Sequence, residues 1–209
     1  VASLAREEHL CGDSSDKEWT ARLASCGRPT AVGELRIVDP GGCEVARGDT
    51  GEILVRGRNT MLGYWGGPGV ITAGDDEKGL DEQGWVHTGD LGFIDAGGYL
   101  TIVDRLHDMI VSGGFNIYPG EVEECLSEHP AVLESAVVGR PDKEWGERVH
   151  ACVVFKPGLA ARAEELIDHV ASRLAAYKKP RSVEVMERLP RNPSGKVLRR
   201  ELRRGLARR

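Results

Sequence analysis

The chain has 209 residues, with 28 Lys and Arg against 33 Asp and Glu, a formal net charge of -5, 40% apolar residues and 29% charged ones. That length holds one large domain or two small ones of ordinary soluble composition, and the mild negative charge argues against general nucleic-acid binding. No apolar run approaches the length of a membrane helix, and the opening VASLAREEHL lacks the basic-then-apolar order of a signal peptide.

Val1 opens without a methionine, which reads as a piece of something longer. Residues 1–30 are charged and broken by Cys11-Gly12-Asp13-Ser14-Ser15, and Gly27-Arg28-Pro29 reads as a turn. Leu35 and Ile37 alternate with Glu34 and Arg36 as on a half-buried strand, and Asp39-Pro40-Gly41-Gly42 turns the chain. Gly51 to Arg56 repeats the pattern with Ile53 and Val55 on one face, so the two stretches predict an antiparallel pair within a small barrel. Met61-Leu62-Gly63-Tyr64-Trp65 reads as a hydrophobic plug under a loop, because aromatics bury large areas. Residues 66–83 are loop-like, rich in glycine and acids.

Glycine and charge are densest from Gly84 to Glu121. An acid sits on an expected turn, Gly89-Asp90-Leu91, ahead of strands at Phe93-Ile94 and Tyr99 to Val103 that are joined by Asp95-Ala96-Gly97-Gly98. Asp104 to Asp108 is highly charged without periodicity and marks the expected domain boundary, giving units of 1–104 and 105–209. Gly113-Gly114 follows a second apolar run. Glycine permits backbone shapes and close approaches that other residues resist, so an acid and an arginine beside such turns suggest a polar ligand.

From Met109 onward, strands and helices alternate. Pro119 suits a first helical position, and Val122, Cys125 and Leu126 form the apolar stripe of a short helix ended by Pro130. Cys125 and His129 share a face of that helix, but one pair does not make a zinc site. The chain's 5 cysteines contain no CxxC pair, which argues against a disulfide framework and fits a reducing cytoplasm. Val132 to Val138 and Val149 to Phe155 read as strands, Val183 and Val185 as another, and Leu198 with Leu202 as the anchor of a terminal helix. Ala163, Ile167, Ala171 and Leu174 predict one face of a helix of about four turns. The basic tail of Arg199, Arg200, Arg203, Arg204, Arg208 and Arg209 reads as a solvated helical face, with no interleaved aromatics to suggest RNA. The expected fold class is α+β, a barrel-like β-rich part followed by a small α+β domain.

GEILVRG with MLGYW, then GWVHTGDLG, DRLHDMIVSGGFNIYPGEVE, LAAYKKP and NPSGKVLRREL occur in the order seen in adenylate-forming, AMP-binding enzymes. The resemblance runs from about Gly27 to Leu202, and its wording is closer to fatty-acyl-CoA ligases than to peptide-synthetase adenylation domains. It implies the C-terminal half of an enzyme that activates a carboxylic acid as acyl-AMP with ATP and magnesium and passes it to CoA. The phosphate loop, most of the acyl pocket and the magnesium site are expected upstream, so the chain alone is expected to be inactive. An adenylation domain that loads a carrier protein and a silent binding module remain as other readings.

The resemblance also implies residue roles. Asp90, Arg105 and Ile102 are similar to nucleotide-binding positions, Asp90 accepting from the ribose hydroxyls through charge-assisted bonds. Arg105 and His107 stand at the expected hinge about which the small domain rotates. Relatives more often carry Asp or Lys at the second position; a histidine there suggests a pH-sensitive pivot, or simply that any polar residue suffices at a hinge. Lys196 matches the catalytic lysine, delivered on the flexible loop Pro193-Ser194-Gly195 to stabilise charge at the α-phosphate. Taken alone, it reads as a solvated charge. GKV is not a P-loop, which needs Gly at the position of Pro190 and Ser or Thr at that of Val197. Gly113, Gly114 and Trp145 resemble the wall of the CoA tunnel, and Tyr177, Lys179 and Arg181 correspond to positions that meet the CoA nucleotide. Tyr177 and the following cations equally suit an ordinary helix C-terminus.

Overall fold

Alternating and continuous apolar runs in this sequence become two separate sheet-based units in the computed structural model, which describes residues 1–10, 15–61, 64–67, 70–72 and 80–207. The units are Val1–Leu106 and His107–Arg209. The first carries β1 (Ala2–Ser3), α1 (Arg6–Leu10), α2 (Lys17–Leu23), β2 (Arg28–Pro29), β3 (Gly33–Val38), β4 (Gly51–Gly57), β5 (Tyr64–Gly67), β6 (Val70–Thr72), β7 (Val86–Ile94) and β8 (Leu100–Arg105). The second carries β9 (Ile110–Ser112), β10 (Phe115–Ile117), α3 (Pro119–Ser127), β11 (Val132–Asp142), β12 (Gly146–Phe155), α4 (Ala163–Ala171), β13 (Ser182–Val185) and α5 (Arg199–Ala207). The class is mixed α+β.

In the first unit the strands run in the order β3-β4-β7-β8, all antiparallel. Among the described residues this sheet is an open path rather than the small barrel expected. Ile37, Ile53, Val55 and Leu100 bury on one side, with Leu35 and Ile94 against them. Val38, Leu54 and Trp85 bury together in a second cluster. Trp85 is sandwiched by Arg36 and Arg56, whose guanidinium carbons lie 4.5 and 4.4 Å from the ring, an arrangement that covers the indole with cationic stems. The stretch expected to turn at Gly27-Arg28-Pro29 instead pairs with Ala2–Ser3 as β2. Part of the expected loop over 66–83 forms β6 against β5, whereas the plug expected over Met61 to Trp65 rests on Leu62 and Gly63, which lie outside the described residues, and on the burial of Tyr64 and Trp65, which is likewise outside them.

In the second unit β12 is central, antiparallel to β11 on one side and parallel to β13 on the other, with β9 and β10 extending the sheet. Both sheet faces are covered, which is why β11 and β12 read as nearly continuous apolar runs. Val137, Val149, Ala151 and Val153 join Val122, Leu126, Leu166 and Val170 of α3 and α4. The alternate residues Ala136, Val138, Cys152 and Val154 meet Leu202 of α5 and Leu189. Pro119 occupies the start of α3 as expected. The buried face of α4, however, is Leu166 and Val170, one position from the stripe read through Ile167 and Ala171. The helix also stops at Ala171, shorter than expected. Among the described residues no helix is long and apolar enough to cross a membrane.

Candidate functional site

The acid at Asp90 is carried by a distortion within β7 rather than by a separate turn. From Glu52 to Leu54, β4 advances two residues while β7 runs from Leu91 back to His87, four residues, so Thr88 to Asp90 bulge out of the ladder. Gly89 sits at φ 69, in the left-handed region that glycine enters without steric cost. Glu52 holds the bulge from beneath: its Oε1 accepts from Gly89 N at 3.2 Å, and its Oε2 lies 2.9 Å from His87 Nδ1. Thr88 donates to Ile53 O at 2.7 Å and accepts from Asp90 N at 3.1 Å. Leu106 N closes on Gly89 O at 2.8 Å. Glu52 is invisible to motif reading, because its partners are fixed only by sheet pairing.

The bulge brings Asp90 opposite Arg105, with Arg105 Nε 3.3 Å from Asp90 Oδ1. Both side chains remain partly open to solvent, at 57% for the arginine and 31% for the aspartate, so the pair contributes little to stability and is available to a ligand. Ile102, on the same strand as Arg105, leaves 49% of its surface exposed. His107 begins the second unit, its carbonyl accepting from Arg203 Nη2 at 3.3 Å.

In the second unit, Gly113 (φ 59) and Gly114 (φ 82) link β9 to β10, Phe115 pairing with Ser112 across them. Two consecutive positive φ angles in a two-residue hairpin are the signature of a type I′ turn. The pair is therefore demanded first by the backbone. Gly113 carries a second constraint: a Cβ there would stand 2.5 Å from Trp145 Cε3. Its N–H donates to Trp145 O at 2.9 Å, so turn and indole are locked together.

A cavity of about 330 Å3 opens beside this turn, lined by Ser112, Phe115, Trp145, Val149, Ala176, Tyr177, Lys179 and Arg181. Four of the six residues expected to meet CoA thus line one cavity, with Gly113 packed directly behind Trp145. A Cβ on Gly114 would meet nothing within 4 Å. Phe115 carries no signal in the sequence. Its ring stacks on Tyr177 with centroids 4.5 Å apart and planes 18° apart, a contact that no local pattern announces. Phe115, Trp145 and Tyr177 are 51%, 45% and 40% exposed, and three large rings open to solvent around one cavity favour a binding surface over a core. Lys178, equally silent in the sequence, donates to Glu121 Oε1 and Oε2 at 2.7 and 2.6 Å and ties the turn bearing Tyr177 to the start of α3.

Lys196 lies exposed on a hairpin that is more ordered than the flexible loop expected. Asn192 Oδ1 accepts from Lys196 N and Ser194 Oγ at 2.8 Å each, and Asn192 N donates to Lys196 O at 2.9 Å. Arg191 donates to Gly195 O at 2.6 Å and pairs with Glu134 on β11, fastening the hairpin to the sheet. A larger cleft, about 600 Å3, lies between an arm of this hairpin and α5. Its lining has no aromatic ring, and it sets Arg188 and Arg191 beside Glu184 and Glu201, whereas the smaller cavity joins two cations to three exposed rings.

One sequence expectation needs correction here. Arg199 and Arg203 do not belong to a solvated face. Arg199 pairs with Glu123 at 2.8 Å and Asp108 at 3.4 Å, and Arg203 with Asp108 at 3.0 Å, all half-buried. Arg208 and Arg209 lie outside the described residues. Near Cys125, His169 lies edge-on to His129 at 5.1 Å, with its Nε2 3.0 Å from Cys125 O. Among the described residues no group of three or more His, Cys, Asp or Glu is arranged to hold a metal ion.

Comparison with known proteins fits this geometry. The family model described as "AMP-binding enzyme" matches residues 8–65, and the one described as "AMP-binding enzyme C-terminal domain" matches residues 121–196. The chain belongs to the AMP-binding, adenylate-forming enzyme family. It is 52% identical over 162 residues to a methyl-dioxo-octahydroindenyl-propanoyl:CoA ligase of Rhodococcus jostii, covering 78% of this chain and 30% of that one. It is 44% identical over 183 residues to a feruloyl-CoA synthase of an Amycolatopsis species, covering 88% and 36%. Among solved structures, o-succinylbenzoate CoA synthetase of Bacillus subtilis, in complex with its acyl-adenylate intermediate, superposes with a TM-score of 0.75 at 42% identity. That match covers 88% of this chain and 36% of the other. The chain therefore spans about a third of the length of the relatives it matches.

Proposed function

We propose that this chain works as the C-terminal part of an ATP-dependent, AMP-forming acyl-CoA ligase. The carboxylic acid would attack the α-phosphorus of ATP to give acyl-AMP and pyrophosphate, and the CoA thiol would then take the acyl group and release AMP. The observation that carries this reading is the single cavity in which Trp145, Tyr177, Lys179 and Arg181 converge beside the Gly113-Gly114 turn. It offers aromatic faces for a base and a thin pantetheine arm, with cations for phosphates.

Asp90 and Arg105 are assigned to the ribose of the nucleotide, with Ile102 on the same strand. A cis-diol supplies two O–H donors to the carboxylate, and its oxygens accept from the guanidinium, so the existing ion pair can open around the sugar. Lys196 is assigned to adenylation, where its ammonium meets the charge that builds at the α-phosphate. The hydrogen bonds that hold the Lys196 backbone support this role, because they fix where the exposed ammonium leaves the hairpin. Arg105 and His107 flank the passage between the units and are proposed as the hinge of a rotation between half-reactions. Magnesium is expected with the ATP phosphates.

The acceptor assay tests this reading. The full-length enzyme, charged with acyl-adenylate, is expected to release AMP on addition of CoA and not on addition of a phosphopantetheinylated carrier protein. The opposite preference would replace the CoA reading with carrier-protein loading, and no turnover with either would favour a silent binding module. The 209-residue chain by itself is expected to show no ATP-dependent CoA ligation.

A further inference from the structure

Glu147 has no role in the scheme above, yet its carboxylate is committed inside the second unit. Its Oε2 accepts from Val111 N at 3.0 Å, on the strand that leads into the Gly113-Gly114 turn. Two further contacts hold the same region: Gly113 N donates to Trp145 O at 2.9 Å, and Gly146 stands opposite Ser112 in the sheet. Of these three, only the Glu147 contact is made by a side chain.

The same carboxylate also lies over Gly139 of β11. A Cβ on Gly139 would lie 2.5 Å from Glu147 Oε1 and 2.9 Å from Oε2. Gly139 is not among the glycines with positive φ, so the backbone there does not require glycine. The space it leaves is filled by Glu147. A methyl group at position 139 would displace a flexible carboxylate rather than the backbone, releasing Val111 at little cost to the fold.

We propose that Glu147 is a positioning residue that holds the Gly113-Gly114 turn against Trp145 through Val111, and that Gly139 reserves the room for it. The inference rests on the CoA-transfer reading of the Trp145 cavity. An active-site wall displaced by a fraction of an ångström weakens the approach of a thiol that must arrive in line, which is how a contact remote from the reacting atoms reaches the rate.

The test uses the full-length enzyme with Glu147→Ala, Gly139→Ala and Glu147→Gln. The two alanine variants are expected to raise KM for CoA about tenfold in transfer from preformed acyl-adenylate, the scale of one hydrogen bond, with adenylation unchanged. Glu147→Gln keeps an oxygen for Val111 N–H and is expected to behave as wild type, separating acceptor geometry from charge. Amide hydrogen exchange at Val111 is expected to speed up in both alanine variants and not in Glu147→Gln. Unchanged exchange in Gly139→Ala, or faster exchange without a rise in KM for CoA, would overturn the proposal. If the wild-type enzyme forms acyl-adenylate but does not use CoA, the CoA reading fails, and exchange at Val111 still decides whether Glu147 holds the turn.

Discussion

Gly113 and Gly114 are neighbours, but they require glycine for different reasons. Alanine at 113 must adopt positive φ and also meet Trp145 at 2.5 Å, whereas position 114 has open space and only the φ of 82 to satisfy. Asparagine tolerates that backbone region, so Gly114→Asn is expected to cost under about 1 kcal/mol and Gly113→Ala about 2–3 kcal/mol in urea unfolding. Equal losses would mean that Trp145 yields freely. A second residue-scale prediction concerns His150, 3% exposed on β12, with its Nδ1 2.7 Å from Ser182 Oγ. Burial pushes its imidazole below the usual value of 6.5; Glu184 opposes that shift, and Arg140 and Arg148 reinforce it. The unfolded chain then binds a proton more readily than the folded one, so stability is full above pH 6.5 and falls as pH drops below it. Denaturation midpoints of His150→Gln should show a shallower acid decline than wild type between pH 7 and pH 5, about the window of imidazole titration. Parallel slopes would remove His150 from the account. Asp90 and Lys196 can be proposed from the sequence because each sits in a motif of fixed local spacing. Phe115 and Glu52 are not, because their partners arrive only when distant segments pair.

At the scale of elements, the terminal helix departs most from its sequence reading. Composition makes α5 a basic surface helix, yet Arg199 and Arg203 turn toward Asp108 and Glu123 and stitch the helix to α3 and to the start of the second unit. Glu123 is the hub, because its Oε1 also accepts from Val137 N at 2.7 Å on β11. Removing it leaves the Val137 N–H without its acceptor and takes from the half-buried Arg199 guanidinium its shorter ion pair, keeping the one to Asp108 at 3.4 Å. Glu123→Ala is therefore expected to destabilise the unit by about 3 kcal/mol, measured by chemical unfolding, well above the cost of losing an exposed pair. A loss under about 1 kcal/mol would return the network to the class of surface ion pairs. Charge runs in a sequence carry no sign of which side faces inward. The one-position error in α4 has the same origin, since Leu166 and Ile167 are both apolar and only packing against α3 selects the buried one. The bulge in β7 reads as a turn in the sequence because glycine and aspartate mark both, and only strand pairing separates the two.

At the scale of the molecule, the strand-helix alternation after Met109 makes the second unit legible, since its apolar runs and helical stripes are long enough to mark each element. The first unit is less so: short strands rich in turn residues predict an antiparallel sheet without saying whether it closes. The charged stretch at Asp104 to Asp108 marks where the units part, and the chain divides between Leu106 and His107. Lys196 and the Trp145 cavity lie on different elements of the second unit, the hairpin before α5 and the ends of β9 and β12, so one body carries groups assigned to both half-reactions. The most direct test of that assignment is the pair of half-reactions measured separately in the full-length enzyme bearing Lys196→Ala. Acyl-adenylate formation is expected to fall by at least about a hundredfold, the scale of one lost transition-state donor, while CoA transfer from supplied acyl-adenylate stays near wild type. An equal fall in both half-reactions, or an adenylation rate that survives the substitution, would contradict that assignment.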